Sequence, residues 1–176
     1  GVYYQYLQLV ATEGFAAGDF YFPVDESADP GRSLQGVLGG AWAPSPAYEF
    51  TAEVYYTDLK RLLILDSNAT LPLESPTTDQ VFLTGGDGYA TGVELFAQKR
   101  TGRLRGWVGY TLGWTRRTFD ELNQGQRFAP KYDRRHDISF VATYDSGPWT
   151  FGASFLYGTG QAFTPAVAQY GLVDPV

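Results

Sequence analysis

The sequence predicts an all-β protein: an antiparallel, up-and-down wall of a transmembrane β-barrel with about seven long strands. Three observations predict this fold. Extended segments rich in Tyr, Phe, Val, Thr and Trp recur along the chain, as half-buried strands require. Short turns alternate with long polar loops, which is the pattern of outer-membrane barrels. Apolar and polar residues alternate at period two in the clearest strands.

The extended segments are longer than the strands of soluble proteins, whose lengths peak at about 5–6 residues. Strands that cross a bilayer at a tilt need about 9–11 residues, and these segments reach or exceed that length. In chain order the segments span 2–12, 35–43, 48–60, 89–100, 103–118, 136–145 and 149–158.

One segment, 54–65, is compatible with two structures. As a helix, its apolar face would carry Tyr55, Leu59, Leu62 and Leu63. We favour a strand as far as Lys60, because odd-numbered Glu, Thr and Tyr residues alternate with even-numbered apolar residues from position 49. The stretch 61–88 could carry a small hairpin of its own.

The connections between the segments alternate in length. The short ones are turns by their Gly, Pro, Asp and Ser content, and they lie at 44–47, 101–102 and 145–148. The long polar loops span about 13–34, 61–88, 119–135 and 159 to the end. A soluble meander has no reason to alternate in this way, so the pattern favours a barrel with turns on one side and loops on the other.

Two hairpins predict a strand register in which apolar residues face apolar residues, as the pleat requires. The first has a two-residue turn at 101–102, and the second has a four-residue turn at 145–148. The predicted pairs are Val93 with Tyr110, Leu95 with Val108, Phe96 with Trp107, Tyr144 with Trp149, and Ala142, Phe140 and Ile138 with Phe151, Ala153 and Phe155.

The same alternation predicts which side chains face lipid and which face the lumen. Lipid-facing positions are Val93, Leu95, Leu104, Val108, Leu112, Ile138, Phe140, Phe151 and Phe155. Lumen-facing positions are Glu94, Phe96, Gln98, Arg105 and Trp107. Tyr144 and Trp149 should mark the periplasmic interface and Trp114 the extracellular one, because amphipathic rings favour the headgroup level.

Four arginines flank the loop after residue 118. If the alternation of the neighbouring strands continues to these positions, Arg116 and Arg134 point outward. Arg117 and Arg135 then point inward, on the same side as Asp137. We hypothesise that Arg116 and Arg134 contact lipopolysaccharide phosphates, because the planar guanidinium donates bidentate hydrogen bonds to phosphate. The alternative is a set of solvated charges without a ligand.

Composition excludes several classes of protein. The chain has 176 residues and is 16% aromatic, which excludes a disordered segment. It contains no Cys and a single His, which excludes disulfide scaffolds and Cys- or His-rich metal sites. The formal charge of −6 disfavours nucleic acid as a partner. No 18-residue apolar run and no signal peptide are visible.

The domain prediction is a single transmembrane β-barrel domain over residues 1–176. Seven strands cannot close a bacterial barrel, which uses an even number of strands. We therefore expect the chain to be a piece of a longer protein, with a wall whose edges are open.

Several stretches, taken together and in order, resemble the C-terminal barrel region of TonB-dependent outer-membrane receptors, in the branch common in Bacteroidetes-like bacteria. They cover nearly the whole chain, although no single stretch is decisive. They are 1–8 (GVYYQYLQ), 55–59 (YYTDL), 89–95 (YATGVEL), 98–112 (QKRTGRLRGWVGYTL), 131–137 (KYDRRHD) and 157–160 (YGTG).

The resemblance implies a 22-stranded barrel with an internal plug in the bacterial outer membrane, a number that belongs to the family. It also implies import of a scarce nutrient, of siderophore, cobalamin, oligosaccharide or peptide class, with energy from a TonB-type protein. The implied partners are outer-membrane lipid, the plug domain, the energy-transducing protein and a surface lipoprotein. The plug and the closing strands are absent from the segment. The alternative function is a soluble β-rich carbohydrate-binding module, and the sequence leaves the substrate unknown.

The remaining constellations predict no catalytic site, no cofactor and no metal site. The run 134–137 lacks a nucleophile, so we interpret it as a charged rim. Glu49 and Glu53 lie about 13 Å apart along one strand, which is too far for the paired carboxylates of a glycosidase. We therefore expect Glu49, Glu53 and Glu94 to contact polar groups of the plug. We interpret the Gly-rich run 85–88 as a flexible loop tip. A phosphate-binding loop would need a Lys and a following helix, and neither is predicted here. The acidic loop 13–34 reads as a soluble surface loop rather than a cation or sugar site.

Overall fold

A computed structural model describes residues 1–10, 20–66 and 77–160 of the chain. These residues are almost entirely β-structure, with one short helix, α1 (Thr78–Val81), and a 3-10 turn at Asn123–Gly125. The strands are β1 (Val2–Gln5), β2 (Leu7–Val10), β3 (Phe20–Pro23), β4 (Gly31–Ser45), β5 (Tyr48–Leu65), β6 (Phe82–Lys99), β7 (Leu104–Thr118), β8 (His136–Ser146) and β9 (Trp149–Gly158).

Seven of these strands form one antiparallel sheet in the order β1-β4-β5-β6-β7-β8-β9. Apart from the separate ribbon of β2 and β3, each strand pairs with the next one along the chain, so the predicted antiparallel, up-and-down order is confirmed. The sheet is open, with β1 and β9 at its edges. No helix of the described residues is long and apolar enough to span a membrane.

The strand bounds confirm the last three predicted segments closely and correct the earlier ones. The segment 54–65 is strand throughout, and β5 and β6 continue to pair well into the predicted loop 61–88. The run 85–88 is therefore part of β6 at an irregular pairing, with Gly85 at φ +76°, and not a loop tip. The segment 2–12 is divided between β1 and β2, and its residues 11–12 lie outside the described part.

Both predicted hairpin registers are wrong by two residues, for reasons that lie in the turns. At β8–β9 the turn is two residues long, not four, because Gly147 adopts φ +59° and Ser146 pairs with Trp149. A leading glycine of positive φ is the type II′ hairpin pattern.

At β6–β7 the last pair is Lys99 with Gly106, so the connection is longer than the predicted two residues. The N–H of Arg100 donates instead to the carbonyl of Ala47, across the neighbouring strand pair (2.9 Å). Because both errors equal two residues, the assignment of side chains to faces survives them.

The buried apolar core lies at one end of the sheet and not between two layers. Leu63, Val81 and Phe82 form its centre, and Phe22 packs edge-on against Phe82 with ring centres 5.3 Å apart. Val24 also packs there. Along the rest of the sheet many large apolar side chains are exposed, so the buried apolar side chains of the described residues lie at the end that carries the long connections.

A reciprocal hydrogen-bonded clasp fixes the segment after β3 to helix α1. The N–H of Asp25 donates to Thr78 Oγ1 (3.0 Å), and the N–H of Thr78 donates back to Asp25 Oδ2 (3.1 Å). Hydrogen bonds from the hydroxyl and then the N–H of Ser27 lower the pKa of the Asp25 carboxyl. The carboxylate therefore contributes fully above its usual pKa of about 3.9, and its contribution is lost as pH falls through the lowered pKa.

We predict that Asp25→Ala opens this clasp while leaving the sheet intact. At neutral pH, amide hydrogen exchange should accelerate in residues 24–29 and 77–81, because two N–H groups lose their acceptor. The matched control is Asp29→Ala, which removes only an exposed ion pair to Arg61 (3.5 Å). Equal exchange in the two variants would contradict the role given to Asp25.

Candidate functional site

One face of the sheet is a continuous apolar surface, which we call the apolar face. The register places on it the even-numbered residues of β4, β5, β7 and β8 and the odd-numbered residues of β6 and β9. Its large side chains are Leu34, Leu38, Trp42, Tyr48, Phe50, Val54, Tyr56, Tyr89, Val93, Leu95, Leu104, Val108, Tyr110, Leu112, Trp114, Ile138, Phe140, Tyr144, Trp149, Phe151, Phe155 and Tyr157.

All nine residues predicted to share one side lie on the apolar face, and the five predicted for the other side lie opposite, so this division is confirmed. The surface is unpaired: Leu38 is 75% exposed, Phe155 55% and Leu95 45%. A soluble protein rarely leaves so large a contiguous apolar area open to water. The face is therefore a candidate surface for an apolar partner.

The height of the apolar face can be read along β7, from Leu104 to Trp114. Ten residue steps at a rise of about 3.3 Å give a length of about 33 Å. If the strand were tilted by about 40°, as strands of outer-membrane barrels are, this length would correspond to a height of about 25 Å.

Cations stacked on aromatic rings border the apolar face at both ends. The turn-side rim consists of Tyr48 beneath the Lys99 ammonium (5.7 Å), Tyr144 beneath the Arg103 guanidinium (5.4 Å), and the exposed Trp149. Tyr144 and Trp149 thus lie at the opposite end from Trp114, and the predicted separation of these aromatic residues along the sheet is confirmed. Their relation to membrane interfaces stays a prediction.

The loop-side rim is built around Tyr89 and Trp114. The Arg135 guanidinium lies 4.6 Å from the Trp114 ring centre, and the Arg127 guanidinium lies 5.8 Å from that of Tyr89. Arg116 is the direct register partner of Tyr89. We use the name loop-side rim for these five residues.

A buried carboxylate holds two of these arginines. Asp133, only 8% exposed in its side chain, accepts bonds from Arg116 Nη1 (2.8 Å) and Arg135 Nη2 (3.5 Å) through Oδ2. Its Oδ1 accepts the N–H of Thr115 (2.7 Å). Sequence reasoning missed Asp133, because it lies in an irregular loop where neither helix nor strand periodicity applies.

Two of the predicted arginine directions are wrong. Arg134 Nη1 lies 3.6 Å from Asp137 on the inner face, and Arg135 lies over Trp114 on the apolar face. The N–H groups of Arg135 and His136 both donate to Thr159 Oγ1 (2.9 and 3.0 Å). Successive N–H groups of a pleated strand point to opposite sides, so the parity of β8 does not extend back to residue 134. Contact of Arg116 or Arg134 with lipopolysaccharide stays a prediction.

The inner face carries a transverse row of polar side chains. Glu53, Glu94, Thr111 and Asp137 are consecutive register partners on four neighbouring strands. We call Glu53, Glu94 and Asp137 the acidic row; beside it is an open cleft of about 410 Å³. Sequence reasoning missed the contact between Glu53 and Glu94, because a long connection between β5 and β6 hides their register.

The acidic row is incompletely neutralised by the described part of the chain. Glu53 and Glu94 lie directly opposite each other, and like charges in that arrangement destabilise a strand pair. Asp137 approaches Arg134, while the third candidate, Glu49, pairs with Arg100 outside the row. A cationic group from another segment or molecule would relieve the repulsion.

An aromatic pair adjoins the acidic row. Phe96 and Trp107 stack with ring centres 6.0 Å apart, although their register partners are Gly109 and Gln98. The two rings are therefore diagonal neighbours and not directly opposite, which corrects the predicted pair. An inner face with stacked rings beside carboxylates and hydroxyls suits contact with protein or ligand better than bulk water alone.

The run 134–137 forms structural contacts. His136 Nδ1 lies 2.8 Å from the Tyr110 hydroxyl, and the two rings stack. Among the described residues, no group of three or more His, Cys, Asp or Glu side chains is arranged to hold a metal ion. Of the acidic loop 13–34, residues 13–19 lie outside the described part; Asp25 belongs to the clasp and Asp29 pairs with Arg61.

Comparison with models of protein families, with curated proteins and with solved structures gave no match.

Proposed function

We propose that this chain is part of the wall of a transmembrane β-barrel, in an outer-membrane receptor of the TonB-dependent class that imports a scarce nutrient. The observation that carries the proposal is the exposed apolar face, bordered by cation–aromatic rims at both ends. Lipid tails supply the apolar partner that this face lacks. In a bilayer, the amphipathic side chains of the two rims would lie at the two headgroup levels, which such side chains favour.

The strand connections support the same proposal. Two-residue turns close one end of the sheet, at 46–47 and 147–148, whereas long segments lie at the other end. The open edges at β1 and β9 are where further strands of a closed barrel would pair, because an unpaired edge in lipid leaves backbone groups unsatisfied.

The acidic row supports an occupied lumen. In the proposed receptor, the row faces a plug, and a basic plug group would neutralise Glu53 and Glu94. Only the sequence resemblance supports three further parts of the proposal. They are the energy-transducing partner, the surface lipoprotein and the class of cargo, which is a siderophore, cobalamin, an oligosaccharide or a peptide. A soluble carbohydrate-binding module would have to bury the apolar face against another layer of protein.

Site-directed spin labelling tests this proposal. Residues 1–176 contain no cysteine, and any cysteine elsewhere in the full-length protein is first replaced by serine so that each label is unique. We predict that nitroxides at Leu95→Cys and Val108→Cys in the full-length protein, reconstituted in phosphatidylcholine vesicles, are relaxed mainly by oxygen. Labels at Glu94→Cys and Thr111→Cys, on the opposite face, serve as matched controls and should be relaxed much less by oxygen, because water or a plug lies there and not lipid. Equal responses at all four sites, or a monodisperse protein without detergent, would contradict a membrane wall.

A further inference from the structure

We propose that the loop-side rim binds the phosphate groups of a membrane lipid headgroup through Arg116, Arg127 and Arg135. The proposal rests on the proposed function, since it requires the apolar face to lie in lipid. The sequence alone suggested Arg116 and Arg134. Arg134 lies on the inner face, so the proposal keeps Arg116 and takes Arg127 and Arg135 in place of Arg134.

The first argument is position. Tyr89 and Trp114 are exterior residues at the end of the apolar face, and the rings of Tyr56 and Tyr89 stack on each other (6.2 Å). Arg127 and Arg135 lie over these rings. Any lipid whose chains cover the apolar face brings its phosphate to the height of these guanidiniums.

The second argument is preorganisation. Asp133 and the carbonyl of Thr115 both bind Arg116 through Nη1, so Nη2 and Nε take no part in those bonds. Arg135 is fixed through Nη1 by the carbonyl of Gly113 (2.8 Å) and through Nη2 by Asp133. Two guanidiniums held in place lose less side-chain entropy when they bind an anion than free ones do.

The third argument is charge. The rim holds three arginines, of which Arg116 and Arg135 share the buried carboxylate of Asp133. Asp58 is the register partner of Tyr89, and Asp87 on the same strand is paired with Lys60. The rim is therefore cationic on a chain whose formal charge is −6. Phosphate is the anion that planar guanidiniums bind best, through paired hydrogen bonds.

The experiment uses the full-length protein in detergent, with binding of lipid A followed by native mass spectrometry. Bis-phosphorylated lipid A should bind, and the same lipid without its phosphates should bind about tenfold more weakly, since each charge-assisted contact contributes strongly. Arg127→Gln, which breaks no ion pair to Asp133, should weaken binding about threefold to tenfold. Arg103→Gln is the matched control, because Arg103 also lies over a tyrosine ring but belongs to the turn-side rim.

Several outcomes would overturn the inference. These are equal affinity for both lipids, equal loss in the two arginine variants, or full displacement of lipid A by millimolar inorganic phosphate, which would indicate a site for the free ion. Flotation of the protein with phosphatidylcholine vesicles shows whether a negative result concerns the loop-side rim alone or the proposed function as well. A protein that floats without preferring phosphorylated lipid overturns the rim alone, and a protein that does not float overturns both.

Discussion

Leu95→Arg is expected to lower the free energy of unfolding from a bilayer by about 2–4 kcal/mol, the cost of an arginine near the midplane of a barrel wall. Leu95 lies on β6 within the apolar face and is 45% exposed. An exposed leucine of a soluble protein would tolerate this change, because arginine is well solvated in water. The sign and size of the effect therefore distinguish lipid from water on this face.

The matched control places the same side chain on the opposite face. In Thr111→Arg, the new guanidinium lies between Glu94 and Asp137 of the acidic row, so we expect little loss or a gain in stability. The measurement is urea unfolding of the full-length protein in phosphatidylcholine vesicles. An unchanged midpoint for Leu95→Arg would remove lipid as the partner of the apolar face.

The sequence was sufficient for the faces of the sheet but not for its register. Period-two alternation in β7 and β8 assigned Leu104, Val108 and Phe140 correctly to one side, because every second side chain of a strand points to the same face of the sheet. The same alternation cannot distinguish registers that differ by two residues. That choice depends on turn geometry, such as the positive φ of Gly147.

The candidate site was predictable only where it lies within regular strands. Glu94, Phe96 and Trp107 were placed on the inner face from their parity. Their neighbours were not, since the contact of Glu94 with Glu53 follows from pairing across a long connection. Arg135 could not be placed, because the chain bends at Arg135, where its N–H and that of His136 both donate to Thr159 Oγ1, and the pleat of β8 begins only after this bend.

Asp133→Ala is the second change with a large expected effect. The Asp133 carboxylate is buried and accepts bonds from two guanidiniums and one N–H. Removing one partner of a fully buried ion pair costs about 3–5 kcal/mol. Because Arg116 and Arg135 keep 29% and 28% of their side-chain exposure, water compensates them partly. We therefore expect a loss of about 2–3 kcal/mol in the free energy of unfolding.

An exposed ion pair of the same sheet provides the control. Asp87 pairs with Lys60 at 3.1 Å, but the two side chains are 53% and 45% exposed. Asp87→Ala should cost about 0–1 kcal/mol, as exposed pairs usually do. Both variants are measured by urea unfolding of the full-length protein in the same vesicles, and equal losses would contradict the structural role of Asp133.

Asp133→Asn separates the charge from the hydrogen bond. The amide oxygen can still accept the N–H of Thr115, whereas the amide nitrogen is a donor facing Arg116 and Arg135. The loss of charge leaves the two guanidiniums repelling each other, while the backbone bond survives. We therefore expect Asn to recover only part of the stability lost in Asp133→Ala. Full recovery would mean that Asp133 acts through Thr115 alone and that the arginines of the loop-side rim are held by their backbone acceptors.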